Sequence, residues 1–308
     1  MTITWLNANP MLHHYFLDIA RFPPVTAESL QQSPYMKKKL MLKESDATLV
    51  MKAANDGLNR AIKNWAKIEH LMRRPLIEEE FITHKSNPPQ PSVIRSSIPG
   101  HPFIEEENPE VDEFIALAVD MRKSSTRLRS KEVFPTIESG IQRVYYETST
   151  LLPALAQTAL LNNGHVTEYL GDGLLILFKV DAGKLDYSIS EAYTAAYNCV
   201  HDTRIIVNNL LQERFLLPHL DLGAGLSISQ ALITFVGIPN NMQPKAIGQC
   251  VWEASKLSYG INTVNISRTL RDLWPPSQSA SLRFRKVPET TKHPVDGFCV
   301  FPAAITNC

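Results

Sequence analysis

Apolar positions early in the chain recur at helical spacing. Met51, Leu58, Ile62, Trp65, Ile68 and Met72 fall at three- and four-residue steps or their sums. That places them on one stripe of a helix running from about residue 47 to 74. Ser45 and Asp46 offer capping oxygens just upstream. A stripe this long needs a partner surface, either a neighbouring helix or a second subunit. Residues 85–110 then change character. Asn87-Pro-Pro-Gln-Pro-Ser, Ile98-Pro-Gly-His-Pro and Glu105-Glu-Glu-Asn-Pro are dense in proline. Proline fixes φ and removes a backbone donor, so a linker without regular elements is expected. The expected organisation is a helical region over 1–84, this linker over 85–110 and one domain over 111–308.

Beyond Val111, strand-like and helix-like patterns alternate. Phe114-Ile-Ala-Leu-Ala-Val is an apolar run ending at Asp120, as a buried central strand would be. A helix is expected from about Pro135 to Leu161. Val166–Leu170 and Leu174–Phe178 flank Gly171-Asp172-Gly173, a strong hairpin signal. A second helix spans about Ser188 to Glu213. Strands follow near Leu220–Ser227 and Leu232–Val236, then a third helix over about Pro244–Leu257. Asn262–Ile266 and Phe298–Phe301 complete the strands. The pattern is α+β, an apolar sheet covered by helices.

Composition narrows the class. The 308 residues carry 31 Lys+Arg and 31 Asp+Glu, a net charge of zero, which argues against a nucleic-acid-coating protein. With 44% hydrophobic and 20% charged residues, the chain can bury a core and is not globally disordered. Cys199, Cys250, Cys299 and Cys308 lie far apart, without metal-finger spacing. There is no signal-peptide pattern and no run of about 18 apolar residues, so no membrane span is expected. The expected location is cytoplasmic.

The candidate chemistry lies in two aspartates. Asp120 ends the central strand and Asp172 occupies the hairpin tip. If their strands are neighbours, two carboxylates meet at one sheet edge, where they repel unless a cation lies between them. Hard divalent ions are bound by such carboxylates together with substrate phosphates. Taken alone, an Asp between glycines is more often just a turn residue.

The surrounding residues carry a resemblance. Phe114-Ile-Ala-Leu-Ala-Val-Asp120-Met-Arg-Lys-Ser-Ser125 resembles the first metal motif of class III nucleotide cyclases. Val166-Thr-Glu-Tyr-Leu-Gly171-Asp172-Gly-Leu-Leu-Ile-Leu-Phe178 resembles the second. Ala246-Ile-Gly248-Gln-Cys-Val251-Trp-Glu-Ala254-Ser255-Lys256-Leu257 is similar to the family helix that reads Gly, two residues, Val-Asn, one residue, Ala-Ser-Arg-Leu. The resemblance covers about residues 111 to 265. It implies a ferredoxin-like cyclase palm, with a mixed, mainly antiparallel sheet and helices on one face, preceded here by a helical region. It further implies a homodimer with composite sites, each taking its metal aspartates from one subunit and its base and transition-state contacts from the other. Asp120 and Asp172 would bind two Mn2+ or Mg2+ ions. The 3′-oxygen of a nucleoside triphosphate would attack the α-phosphorus and pyrophosphate would leave. The loop Met121 to Ser125, with Ser124, would offer backbone N–H groups to the phosphates, and Arg122 a charge-assisted contact.

Four positions depart from the adenylate cyclase pattern. Glu168 stands where a base-reading Lys is found, and Lys245 where an Asp is found. A carboxylate accepts from a ring N–H and an ammonium donates to a carbonyl, a match for uracil N3–H beside O4, and also for guanine N1–H beside O6. Trp252 replaces the ribose-positioning Asn, and its bulk would narrow the pocket toward a single ring, unless it is a core or interface aromatic. Lys256 replaces the charge-stabilising Arg, supplying charge without the planar fork. These departures resemble the uridylate and cytidylate cyclases of bacterial Pycsar anti-phage systems. That branch implies cyclic UMP or cyclic CMP made as a signal for a separate effector protein. The competing readings are a guanylate or adenylate cyclase and a catalytically silent regulatory module. A diguanylate-cyclase-like palm ranks below them, because its Gly-Gly-Asp/Glu-Glu-Phe turn is missing. His13-His14 and His165 read as surface or structural residues, and Cys250 as a small buried one.

Overall fold

β-strand geometry sends alternate side chains to opposite faces, and the central strand uses both. The computed structural model describes residues 41–72, 93–105, 108–132, 134–238, 241–279, 281–291 and 294–303. Helix α1 spans Glu44–Met72, followed by strands β1 (Val93–Arg95), β2 (Phe103–Glu105) and β3 (Glu110–Met121). Helices α2 (Ser124–Arg129) and α3 (Gly140–Leu160) lead to β4 (His165–Tyr169) and β5 (Gly173–Lys179). Helix α4 (Leu185–Asn198) runs through a π-helical turn at Cys199–Thr203 into α5 (Arg204–Phe215). Next come β6 (Leu222–Ile238), β7 (Asn241–Gly248), α6 (Gln249–Leu257) and β8 (Thr263–Ser267). Short helices α7 (Arg268–Asp272) and α8 (Pro276–Ser279) precede β9 (Leu282–Val287) and β10 (Gly297–Pro302).

Eight strands form one mixed sheet in the order β4-β5-β3-β6-β8-β10-β9, with β7 also on β6. Among the described residues, only β6 and β8 of this sheet pair in parallel. On one face, Ile115, Leu117, Val119 and Met121 of β3 join Leu174, Ile176 and Phe178 of β5 beneath the long helices. On the other, Phe114, Ala116 and Ala118 join Leu175 and Leu177 beneath α6 and the β1–β2 hairpin. A strand buried on both faces reads as a continuous apolar run, as 114–119 does. Among the described residues, no helix is long and apolar enough to cross a membrane.

Helix α1 belongs to the same core. Val50, Met51, Ala54, Leu58, Ala61 and Trp65 are buried against α3, with Trp65 edge-on to Tyr146 at 6.5 Å. Gly57 sets the approach, since a Cβ there would lie 2.0 Å from the Ser149 carbonyl oxygen. The expected stripe is therefore a helix-packing face, although Ile68 is exposed. The chain entering α1 is fixed by Asp202, whose carboxylate accepts from Met41 and Leu42 N–H at 2.6 Å each. Met72's side chain and His13-His14 lie outside the described residues.

Four expectations need correction. The proline-rich segment does hold regular structure, the β1–β2 hairpin, because its Ile98 and Ile104 are buried on the sheet. The strands expected at 220–227 and 232–236 are one 17-residue strand, β6. The 188–213 helix is interrupted by the π turn. Residues 244–248 lie in β7 rather than a helix. Pro244 is tolerated there because, among the described residues, β7 pairs with β6 alone, and α6 starts after Gly248.

Candidate active site

The strand register brings the two aspartates together. β3 and β5 are antiparallel neighbours, and Asp120 pairs with Gly173, next to Asp172. Met121 N–H donates to the Asp172 carbonyl at 3.2 Å, and Asp172 N–H to the Leu170 carbonyl at 2.7 Å. Both glycines of the turn are required. Gly171 takes φ +70°, a left-handed conformation. At Gly173 a Cβ would lie 2.5 Å from the Val119 carbonyl oxygen and 3.3 Å from Asp120 Oδ1. Both carboxylates are partly exposed. Paired, oxygen-only and partly solvated donors suit a hard divalent ion.

Arg122 already answers this negative charge. Its guanidinium bonds to the Asp120 carboxylate, and burial pushes its pKa down while Asp172 opposes that shift. The loop amides are only partly free. Met121 N–H is spent on Asp172, and Arg122 N–H donates to the Asp221 carbonyl at 2.8 Å. The expectation that the whole loop Met121–Ser125 offers N–H groups to phosphate is thus corrected. Strand and loop pairing consume the first two, and Met121's side chain is in the core. Ser124 opens α2 and is half-buried, so its N–H is one of those left over at a helix start.

A buried ion network fixes α2 behind this loop. Fully buried Glu147 accepts from Arg127 at 2.7 Å and Arg143 at 3.0 Å. Arg127 also donates to the Pro218 carbonyl at 3.3 Å and to that of His219. The sequence reading missed this network. The four-residue Arg143–Glu147 spacing on a helix was its one visible sign.

Glu168 and Lys245 form an ion pair at 2.8 Å, each about a quarter exposed (25% and 27%). A β-bulge makes this possible. Val166 pairs with Ile176, but Glu168 pairs with Leu175, so Thr167 is the extra residue. The bulge turns Glu168 from the long-helix face to the α6 face. Lys245 arrives from β7, opposite Thr234. His165 is exposed at the start of β4.

Helix α6 rests on glycines. A Cβ at Gly223 would sit 2.0 Å from the Ser258 carbonyl, and one at Gly225 2.1 Å from the Ala254 carbonyl. Cys250, Ala254 and Leu257 form the buried stripe, with burial raising the Cys250 thiol pKa. Trp252 is 50% exposed, so it is no core residue in the single chain. Lys256, one turn on, is half-buried and has no ion pair among the described residues. No hydrogen bond or ion pair among those residues joins the Glu168–Lys245 pair to Asp120 and Arg122. A single chain presents two separate clusters.

The structure superimposes on the adenylyl cyclase CyaB from P. aeruginosa with TM-score 0.52 and 14% identity, covering 64% of this chain and 97% of that one. The chain has the fold of a class III nucleotide cyclase catalytic domain. The guanylyl cyclase Cya2 follows at TM-score 0.48 and 18% identity, covering 62% and 92% of the two chains. The guanylate cyclase domain of RhGC from Catenaria anguillulae gives 0.46 and 13%, covering 63% and 98%. No protein-family model matches the chain, and no curated protein matches it by sequence. On this cyclase fold, Asp120 and Asp172 sit at one end of the neighbouring strands β3 and β5, and α6 packs on the sheet face that carries Phe114, Ala116 and Ala118.

Proposed function

We propose that the chain is a nucleotidyl cyclase converting a pyrimidine nucleoside triphosphate, UTP in first place and CTP in second, to its 3′,5′-cyclic monophosphate and pyrophosphate. The observation that carries the proposal is the pairing of Asp120 with the Gly171-Asp172-Gly173 turn on a cyclase fold. In the reaction the ribose 3′-hydroxyl loses its proton, its oxygen bonds to the α-phosphorus, and the bond to the β-phosphate oxygen breaks. Asp120 and Asp172 would hold two Mn2+ or Mg2+ ions, which acidify the hydroxyl and neutralise phosphate charge. Ser124 N–H and Arg122 would bind phosphate oxygens. Lys256 would place positive charge where it develops at the α-phosphate.

The Glu168–Lys245 pair supports the choice of base. Its carboxylate accepts from uracil N3–H while the ammonium donates to O4. Guanine offers the same order, N1–H beside O6, and is the alternative substrate. Trp252, half-exposed beside Lys256 on α6, favours the smaller ring by filling space. The separation of the two clusters in one chain supports a homodimer whose sites each combine Asp120 and Asp172 of one subunit with Glu168, Lys245, Trp252 and Lys256 of the other. The cyclic nucleotide would act on a separate effector in anti-phage defence, a role resting on the sequence resemblance alone.

The test is to incubate the protein with Mn2+ and each of ATP, GTP, CTP and UTP, identify products by mass and count pyrophosphate. Cyclic UMP or CMP, abolished in D120A and in D172A, is the expected result. Cyclic GMP would keep the reaction and move the base assignment. Absence of every product, with nucleotide still bound, would replace the enzyme by a silent binding module.

A further inference from the structure

Arg122 is held in an unusual way for a side chain near solvent. Its side chain is only 17% exposed, it bonds to Asp120, and its Nε is buried without a hydrogen-bond partner. A dry donor is unfavourable, so this pose persists because the two carboxylates require a positive charge. The backbone around it is pinned on both sides. Met121 N–H is bound to the Asp172 carbonyl at 3.2 Å, and Arg122 N–H to the Asp221 carbonyl at 2.8 Å. Lys123 follows in the left-handed region at φ 61°. With the main chain fixed, only the arginine's long side chain is able to swing.

We propose that Arg122 is the resident cation of the candidate site, neutralising Asp120 and Asp172 when no metal is bound and competing directly with the first divalent ion. This rests on the reading of the two aspartates as metal ligands. A divalent ion brings twice the charge of a guanidinium and takes carboxylate oxygens directly, so it displaces the arginine. The displaced guanidinium needs a new anionic partner, and a triphosphate supplies one. Metal and nucleotide binding are thereby coupled. Metal alone binds weakly because it evicts Arg122 into solvent, and metal with nucleotide binds tightly because Arg122 moves onto phosphate. By reciprocity, metal strengthens nucleotide binding by the same factor.

The experiment is a Mn2+ titration of the full chain without nucleotide, reading free Mn2+ by electron paramagnetic resonance. The expected result is Mn2+ bound about tenfold tighter by R122Q than by wild type, because a competing charge within contact distance is gone. Added UTP should then tighten Mn2+ binding strongly in wild type and little in R122Q. Unchanged or weaker Mn2+ binding in R122Q would overturn the proposal. If D120A and D172A bind Mn2+ as wild type does, the metal-ligand reading itself falls, a result distinct from the first. A second measurement needs no metal. Arg122 and Asp172 should be coupled in thermal melts of R122Q, D172N and the double variant, with D172N relieving the loss caused by R122Q. Strictly additive shifts would overturn the proposal.

Discussion

At Gly171 and Gly173 the same substitution meets two different obstacles. Gly171 has a left-handed φ of +70° but nothing within 4 Å of a built Cβ. Alanine there carries backbone strain alone, about 1–2 kcal/mol. Gly173 has no such φ, but its Cβ would enter the Val119 carbonyl at 2.5 Å. The atom that this Cβ meets belongs to the backbone and has no rotamer to escape into, so β5 itself must move away from β3. We expect G173A to lose more stability in urea melts than G171A, and to lose the Asp120–Asp172 pairing with it. The reverse order would mean that the close approach of the strands relaxes freely. The Gly-Asp-Gly signal was legible as a turn. That its second glycine serves the neighbouring strand was not, because the neighbour is about 50 residues away in sequence.

Helix α2 has six residues and none of them is buried, so its own packing does not hold it. Arg127 does, through Glu147 of α3 and the carbonyls before Asp221. Asp221 in turn anchors Arg122 N–H. E147A leaves Arg127 and Arg143 without their buried carboxylate. The expected cost is about 3 kcal/mol, since removing one partner strands the other's charge. Chemical denaturation measures it, and in Mn2+-dependent assays the variant should lose turnover through the misplaced loop. A loss below about 0.5 kcal/mol, as for an exposed pair, would show that α2 is held otherwise. The α6 docking glycines make a similar point. Leu222-Gly-Ala-Gly-Leu reads from sequence only as a weakened strand, yet Gly223 and Gly225 let α6 lie against β6.

At the scale of the whole molecule, exposed apolar side chains occur on many elements, and one set bears on assembly. Val236 and Ile238 of β6, Ile247 of β7 and Trp252 of α6 are all exposed, on the elements that carry Lys245 and Lys256. Large apolar side chains left exposed on these elements suit an interaction surface, and a second copy of the chain is the partner proposed above. Composite sites predict complementation. D120A and K256A should each be inactive alone. Mixed under conditions of subunit exchange, they should recover about a quarter of the wild-type rate, because half the dimers then hold one intact site of two. No recovery, with exchange verified, would place both residues in one site of one chain. Ile247→Asp should shift the protein toward monomer in analytical ultracentrifugation and lower activity in parallel.

The sequence by itself determined the α+β class, the buried central strand ending in Asp120, the Gly-Asp-Gly hairpin and the long packing stripe of α1. Each is a local pattern, and periodicity or turn chemistry reports it without knowledge of the neighbours. Tertiary structure alone decided the rest. The Thr167 bulge turned Glu168 to the α6 face, where β7 delivers Lys245 from about 77 positions away. β6 ran unbroken through a polar stretch that reads as a strand end, because β3, β7 and β8 supply its hydrogen bonds. Arg122 came to rest on Asp120 because a fold that brings two carboxylates together must also supply their counter-charge, and the nearest cation lay two residues along the same chain.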